Sequence, residues 1–208
     1  MDDTHKHFFA YCLMKQYDVF PECYVDTNLI GYILGKDSKH KSSCNEVVKA
    51  VNHSDSFAIG IIDDDKRRPT MDSGFSEHKL HESVDGEKRH VSMFIHEDGR
   101  RYIFTIKPAM DKFVWDAAKH EGVSMKDAGY STVFKQFKKE TKRIQAATDP
   151  KLRRLFAKIL GYPELQRLRN TLKYLMGLQY KSTPDIAKQF FDGRLTNENL
   201  ASMLSDTH

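Results

Sequence analysis

Residues 57–68 read FAIGIIDDDKRR: six apolar residues, then three aspartates and three cations with no spacer. A strand with one wet face alternates apolar and polar residues, whereas an unbroken apolar run of this length reads as a strand covered on both faces, as in the middle of a parallel sheet. Asp63 marks the point at which that strand comes out of cover. Asp63 and Asp65 are two residues apart, so an extended chain turns them to one side and Asp64 to the other. Lys66, Arg67 and Arg68 follow at once, so acids and cations meet at one sheet edge.

Outward from this stretch, the preceding segment CNEVVKAV (44–51) sets Val47, Val48 and Val51 on one helical face, and the polar run Asn52–Ser56 ends it. Earlier still, Glu22-Cys23-Tyr24-Val25 reads as a strand, Asp26-Thr27-Asn28 as a polar junction, and Leu29–Leu34 as the short helix it caps. Strand, helix and strand make a βαβ unit, which brings both strands' C-terminal ends to the edge where open α/β sheets bind ligands. Asp26 lies 37 residues before Asp63 and is expected to approach the Asp63/Asp65 pair there.

Downstream, Val91–Ile95 and Tyr102–Ile106 flank Glu97-Asp98-Gly99, whose Asp-Gly pair predicts a tight hairpin. Residues 70–90, charged and carrying Gly74 and Gly86, read as a mobile loop beside the acidic edge. From Pro108 the period becomes helical, with Phe113, Trp115 and Ala117 in a first helix and Trp115 as a core anchor. Asp149-Pro150 opens a second, with Leu152, Leu155, Phe156 and Ile159 on one face. Gly161 and Pro163 separate it from a third, striped by Leu165, Leu168, Leu172 and Leu175. The fold class is therefore α/β: a βαβ core with a mostly parallel sheet and an antiparallel hairpin, followed by a helical C-terminal part. The core is assigned to residues 1–130 and the basic helical part to 131–208, two parts that could pack as one domain.

The chain has 208 residues, 33 Lys/Arg against 29 Asp/Glu, and 39% apolar residues with 13 Phe, 9 Tyr and 1 Trp. That excludes collagen, coiled coil and wholesale disorder and leaves enough apolar side chains for a core. No run reaches the length of a membrane span, and the charged start MDDTHKHFFAYCLMK does not read as a secretory signal, so a cytoplasmic protein with no membrane partner is expected. Cys12, Cys23 and Cys44 form no CxxC pair and read as reduced, partly buried thiols. Of the ten histidines, none falls in an HExxH pattern, and the His78/His81 pair reads as solvated rather than as a zinc site. Absence of GxxxxGK[ST], GxGxxG and GxSxG argues against a P-loop ATPase, a dinucleotide enzyme and a serine hydrolase. Charge is uneven: residues 1–130 hold 18 Lys/Arg and 22 Asp/Glu, whereas residues 131–181 hold 13 and 3. A basic surface beside a carboxylate cluster suits a metal-dependent enzyme acting on a polyanion.

Three carboxylates within a few ångströms repel one another, and a hard divalent cation, Mg²⁺ or Mn²⁺, relieves the conflict. The pattern CYVDTNLIGYIL, CNEVVKAV, FAIGIIDDDKR resembles the Toprim core of topoisomerases, primases and phage-defence nucleases over residues 20–70. The resemblance implies a Toprim-like fold and metal-dependent phosphodiester hydrolysis of DNA or RNA. It puts Asp26 in the place of the family's glutamate and Asp63 and Asp65 in the places of its Asp-x-Asp metal ligands. Asp26 is shorter than that glutamate and is followed by Thr27 instead of glycine, which keeps a non-catalytic nucleic-acid- or protein-binding module as the second reading. PAMDKF (108–113) resembles a segment of defence-type Toprim nucleases in which an acid opens a helix, making Asp111 a further ligand candidate. An ATPase often accompanies defence-type Toprim domains and this chain carries no ATPase motif, so the resemblance implies a separately encoded partner protein as an expectation. The string YVDTNLI (24–30) also resembles the opening strand of PIN-domain ribonucleases, where Asp26 is the first ligand, Thr27 or Asn28 supports it and a helix-borne glutamate follows. Glu46 comes sooner than that family has it and Asp63 too early for its closing acid, which ranks this resemblance below the Toprim-like one. Phosphate contacts are expected from Lys66, Arg67 and Arg68 by position, and from Lys135, Lys138, Lys139, Lys142 and Arg143 by density.

Overall fold

The computed structural model describes residues 18–36, 38–64, 69–78 and 90–205. Among them β1 (Asp18–Pro21), β2 (Ala58–Asp63), β3 (Phe75–His78), β4 (Val91–His96) and β5 (Arg101–Ile106) form one sheet in the order β1-β2-β5-β4-β3. β1, β2 and β5 run parallel, while β4 and β3 add an antiparallel ribbon. The expected hairpin is present between β4 and β5, with Gly99 at φ +66° in its turn. β3 lies within the segment read as a loop. Its sequence, FSEH, puts polar residues at the sheet margin and gives no apolar run to recognise.

The first strand departs from expectation. It is Asp18–Pro21, and the residues read as strand, Glu22–Val25, instead enter helix α1 (Tyr24–Leu34). Two local causes combine. Pro21 has no N–H to continue a ladder, and Asp26 at the third helical position accepts the Cys23 N–H through Oδ2 at 3.1 Å. Val25, Leu29, Ile30 and Ile33 then form one buried face, which the strand-plus-junction reading had divided. β1's outer margin is lined by the returning chain, where Lys39 N–H donates to the Val19 carbonyl and Lys41 N–H to that of Pro21.

Helix α2 (Cys44–Asn52) covers one sheet face with Val47, Val48 and Val51, packed on Phe20, Ala58, Ile62 and Ile103. Gly60 faces it. A Cβ there would meet Val47 Cγ1 at 2.8 Å and Val51 Cγ2 at 3.0 Å, so only glycine admits this approach. The opposite face carries Val19, Ile59, Ile61, Tyr102 and Phe104 under α1 and the C-terminal helices, in one continuous cluster. Those helices are α3 (Met110–His120), α4 (Phe134–Thr141), α5 (Pro150–Ile159), α6 (Pro163–Leu178), α7 (Pro184–Phe191) and α8 (Asn197–Ser205), with short 3₁₀ turns at Ile144–Ala147 and Gln179–Lys181. The expected stripes of α5 and α6 are buried, and Trp115 is half-buried against Phe134 and Phe137, each with ring centroids 5.5 Å away.

Two polar clamps join the layers. Asn28 donates to the Ala146 carbonyl at 2.8 Å and the Asp149 carbonyl at 3.0 Å, tying α1 to the start of α5. His90 donates its backbone N–H to Glu164 at 2.8 Å, and its ring lies 2.7 Å from Glu164 Oε2 and 3.2 Å from Asp116 Oδ2. No sequence motif marks His90, yet it is tied by both ring nitrogens to carboxylates on α6 and α3. The Glu164 bond raises the His90 pKa against the opposing effect of burial; burial would raise the Glu164 carboxyl, but its bonds from His90 outweigh it and hold it low.

Gly60→Ala should destabilise this packing by about 1–3 kcal/mol through overpacking, read by denaturant unfolding. His90's raised value means that its stabilisation is complete below about pH 6.5 and is lost as pH rises through that raised value; Glu164's lowered value means that its share holds above about pH 4.3 and is lost as pH falls through it. Unfolding free energy should therefore decline as pH rises above about 6.5 and through the raised His90 value, and His90→Gln should flatten that decline.

Candidate metal centre

Alternation along β2 puts Ile59, Ile61 and Asp63 on the face shared with α1 and α3. At the C-terminal ends of the parallel strands three connections therefore converge: β1 into α1, β2 past Asp63, and β5 into α3. Asp63 is held from both neighbours. Its backbone N–H donates to Glu22 Oε2 at 2.8 Å, and its Oδ1 accepts the Met110 N–H at 2.9 Å, at the first turn of α3.

Asp26 reaches the same place from the first turn of α1 rather than from a strand tip. It is 0% exposed. Oδ2 takes the Cys23 N–H, and among the described residues Oδ1 has no hydrogen-bond partner. One donor atom each from Cys23, Asp26 and Asp63 lies within 4.8 Å of the others. Burial and the Asp63 charge push the Asp26 carboxyl well above the usual carboxylate range, and burial with the Asp26 and Asp63 charges pushes the Cys23 thiol up. Three acidic groups thus sit where they cannot all ionise without a cation, and two carboxylates and a sulfur are donors that a divalent ion accepts.

Asp111 lies one residue after Met110 in α3. It is buried, its Oδ1 is without a partner among the described residues, and its carboxyl is raised by burial against the pull of Lys138 and Lys142. Lys138 Nζ lies 3.9 Å from Asp111 Oδ2. This joins the basic helix α4 to the acidic edge: Lys135, Lys139, Lys142 and Arg143 are exposed along it and Lys138 turns toward the carboxylates. Asp65, Lys66, Arg67 and Arg68 lie outside the described residues, as does His81. His78 pairs with Asp192 at 2.8 Å.

Two candidates from the ribonuclease-like reading are placed elsewhere. Glu46 is exposed and accepts from the Ser42 hydroxyl at 2.7 Å, while Asn28 is used in the α1–α5 clamp. Sequence reasoning also missed two neighbours of the cluster. Cys23 becomes a candidate donor only once α1 is known to begin beside it. His40 stacks on Tyr24 with ring centroids 4.5 Å apart and its Nδ1 lies 3.2 Å from Thr27 Oγ1, a position set by the chain's return along β1 and by no local motif.

The raised Asp26 value has a definite sign. Without a cation its ionisation opposes folding as pH climbs above the unfolded-state value of about 3.9. Asp26→Asn keeps an oxygen for the Cys23 N–H and removes that penalty. The variant should match the parent near pH 4 and gain in melting temperature as pH rises, by about 2–4 °C for each kcal/mol. A lower melting temperature near neutrality in chelator would contradict this account. Compared with family models, curated proteins and solved structures, the chain matches none.

Proposed function

We propose that this protein is a divalent-metal-dependent nuclease of Toprim-like type, hydrolysing phosphodiester bonds of nucleic acid at the carboxyl edge of its sheet. The observation that carries the reading is the meeting of Asp26, fully buried with Oδ1 unpartnered among the described residues, and Asp63 at the end of the central strand. Such a pair is costly to maintain as a structural feature alone, and a cation turns the cost into binding. A divalent ion held there would polarise a phosphoryl oxygen and make a coordinated water more acidic. Asp26 and Asp63 would hold it, joined by Asp65 on the resemblance's terms. Glu22 and the Met110 N–H fix Asp63 in place. Lys138 and Lys142, with the exposed cations of α4, would contact backbone phosphates beside the carboxylates. The PIN-like reading, already the weaker one by spacing, draws no support from Glu46 and Asn28, which are engaged in other contacts.

A second reading, a non-catalytic nucleic-acid-binding module, is favoured by one observation: Asp26 Oδ2 is already engaged as a helix cap and the residue is sealed from solvent. The two separate cleanly. Asp63→Asn retains the acceptor for Met110 and should fold, yet it should lower metal-dependent cleavage by more than the roughly 10–100-fold that accompanies loss of an outer-shell partner. Lys138→Ala and Lys142→Ala should each reduce the slope of log affinity against log salt by roughly 0.7–0.9 for every phosphate that the lysine neutralises. Salt-sensitive binding that persists in chelator, with no cleavage under any divalent ion, would select the binding module instead.

A further inference from the structure

We propose that Cys23 is a ligand of the cation, which makes the site a mixed thiolate–carboxylate centre for a borderline first-row ion such as Zn²⁺, bound in preference to Mg²⁺. This deepens the reading above, since it rests on Asp26 and Asp63 sharing a cation, and it changes which cation.

The argument begins with the position. Cys23 occupies the N-cap of α1, where Ser, Thr, Asp or Asn is the usual choice because an oxygen there satisfies free helix N–H groups. Here the Cys23 sulfur stands in the oxygen's place, taking the Asp26 N–H in a capping box, but it is a weaker acceptor than a hydroxyl or carboxylate oxygen. What a thiol offers besides is a soft donor. The helix start directs this donor into the acidic cluster: the Cys23 backbone is bound by Asp26 Oδ2 at 3.1 Å, and its Sγ lies within 4.8 Å of a carboxylate oxygen from both Asp26 and Asp63. Metal–sulfur and metal–oxygen bonds to zinc are about 2.3 Å and about 2.0–2.2 Å. Three donors with this spacing close around one ion with small side-chain movements.

Charge and softness decide the ion. Mg²⁺ demands six hard oxygen ligands in near-ideal octahedral geometry and gains nothing from a thiolate. Ions from Fe²⁺ to Zn²⁺ accept sulfur and carboxylate together, and thiolate raises the site's preference for them. Asp26 provides the independent sign that something is received here, because its Oδ1 is fully buried, unpartnered among the described residues, and belongs to a carboxylate that faces the other two donors. Glu22 holds the Asp63 backbone N–H and the Met110 N–H holds Asp63 Oδ1, so both the backbone and the carboxylate of Asp63 are fixed within the cluster.

The test is optical and does not depend on cleavage. Co²⁺ should be titrated into the purified, reduced full chain and into Cys23→Ser, Cys23→Asp, Cys44→Ser, Cys12→Ser and Asp63→Asn, with circular dichroism to verify folding. Serine and aspartate are good N-caps, so the first two variants preserve the start of α1. The parent should give a thiolate-to-cobalt charge-transfer band that Zn²⁺ abolishes and excess Mg²⁺ does not. That band should be lost in Cys23→Ser and Asp63→Asn and kept in Cys44→Ser and Cys12→Ser. Cys23→Ser should weaken Zn²⁺ binding by roughly 10²-fold or more, and Cys23→Asp should shift preference toward Mn²⁺ and Mg²⁺. Cation binding that disappears in Asp63→Asn but is unaltered in Cys23→Ser would overturn the assignment of Cys23 and leave the carboxylate site standing. No binding of Co²⁺, Zn²⁺, Mn²⁺ or Mg²⁺ by the folded parent would overturn both.

Discussion

Strand β2 is enclosed on every side: β1 and β5 bond its two edges, α2 covers one face, and α1 with the C-terminal helices covers the other. Much of the molecule answers to that enclosure. Alanine and glycine on the α2 side hold the helix close, and branched residues on the other side fill the deeper layer. A chain so covered cannot change direction or expose a polar group until it reaches its end, which places Asp63 at the rim of the sheet. Neighbouring elements complete the geometry, since β5 ends level with it at Ile106, β1 ends two residues short at Pro21, and each leads within a few residues into a helix.

Legibility in the sequence followed the strength of local pattern. FAIGIID announced a doubly covered strand, the Asp-Gly turn announced the hairpin, and Asp149-Pro150 announced α5, because each is a short-range signal with one cheap solution. The start of α1 was misread for a physical reason. ECYV carries strand-forming residues, but the spacing of Val25, Leu29, Ile30 and Ile33 is helical, and the N-terminal turn is secured by the Asp26 carboxylate reaching back to Cys23. The misreading had a consequence for the site. Asp26 lies beside Asp63, yet its neighbour in the cluster, Cys23, has meaning only when both lie at the start of a helix. His90, His40 and Asn28 were illegible because their partners lie far away in sequence: Glu164, Thr27 on the far side of a loop, and the carbonyls of Ala146 and Asp149.

The acidic edge is a contest between two electrostatic effects of unequal size. The N-termini of α1 and α3 both open toward it, and each helix end favours nearby negative charge by about 0.3–1 kcal/mol, up to about 2 when partly buried. Removing a carboxylate from water costs several kcal/mol even after relaxation, and mutual repulsion adds to that. The sum is carried by the pKa directions: Asp26, Asp111 and Cys23 are all displaced toward their protonated forms despite the helix ends. Lys138 and Lys142 relieve Asp111 from one side, whereas the charge of Asp63 adds to burial in holding the Asp26 carboxyl high. The fold therefore holds a small store of unfavourable energy at one place, and that place is the rim where three loops meet.

The chain's return along β1 bears on assembly. Strand edges invite pairing with other molecules through their unfilled backbone positions. On β1, the Val19 and Pro21 carbonyls are already taken by Lys39 and Lys41, and Pro21 has no N–H to offer. Among the described residues, this four-residue margin therefore offers an incoming strand few unfilled backbone positions, and Lys39 closes it further by pairing with Asp18.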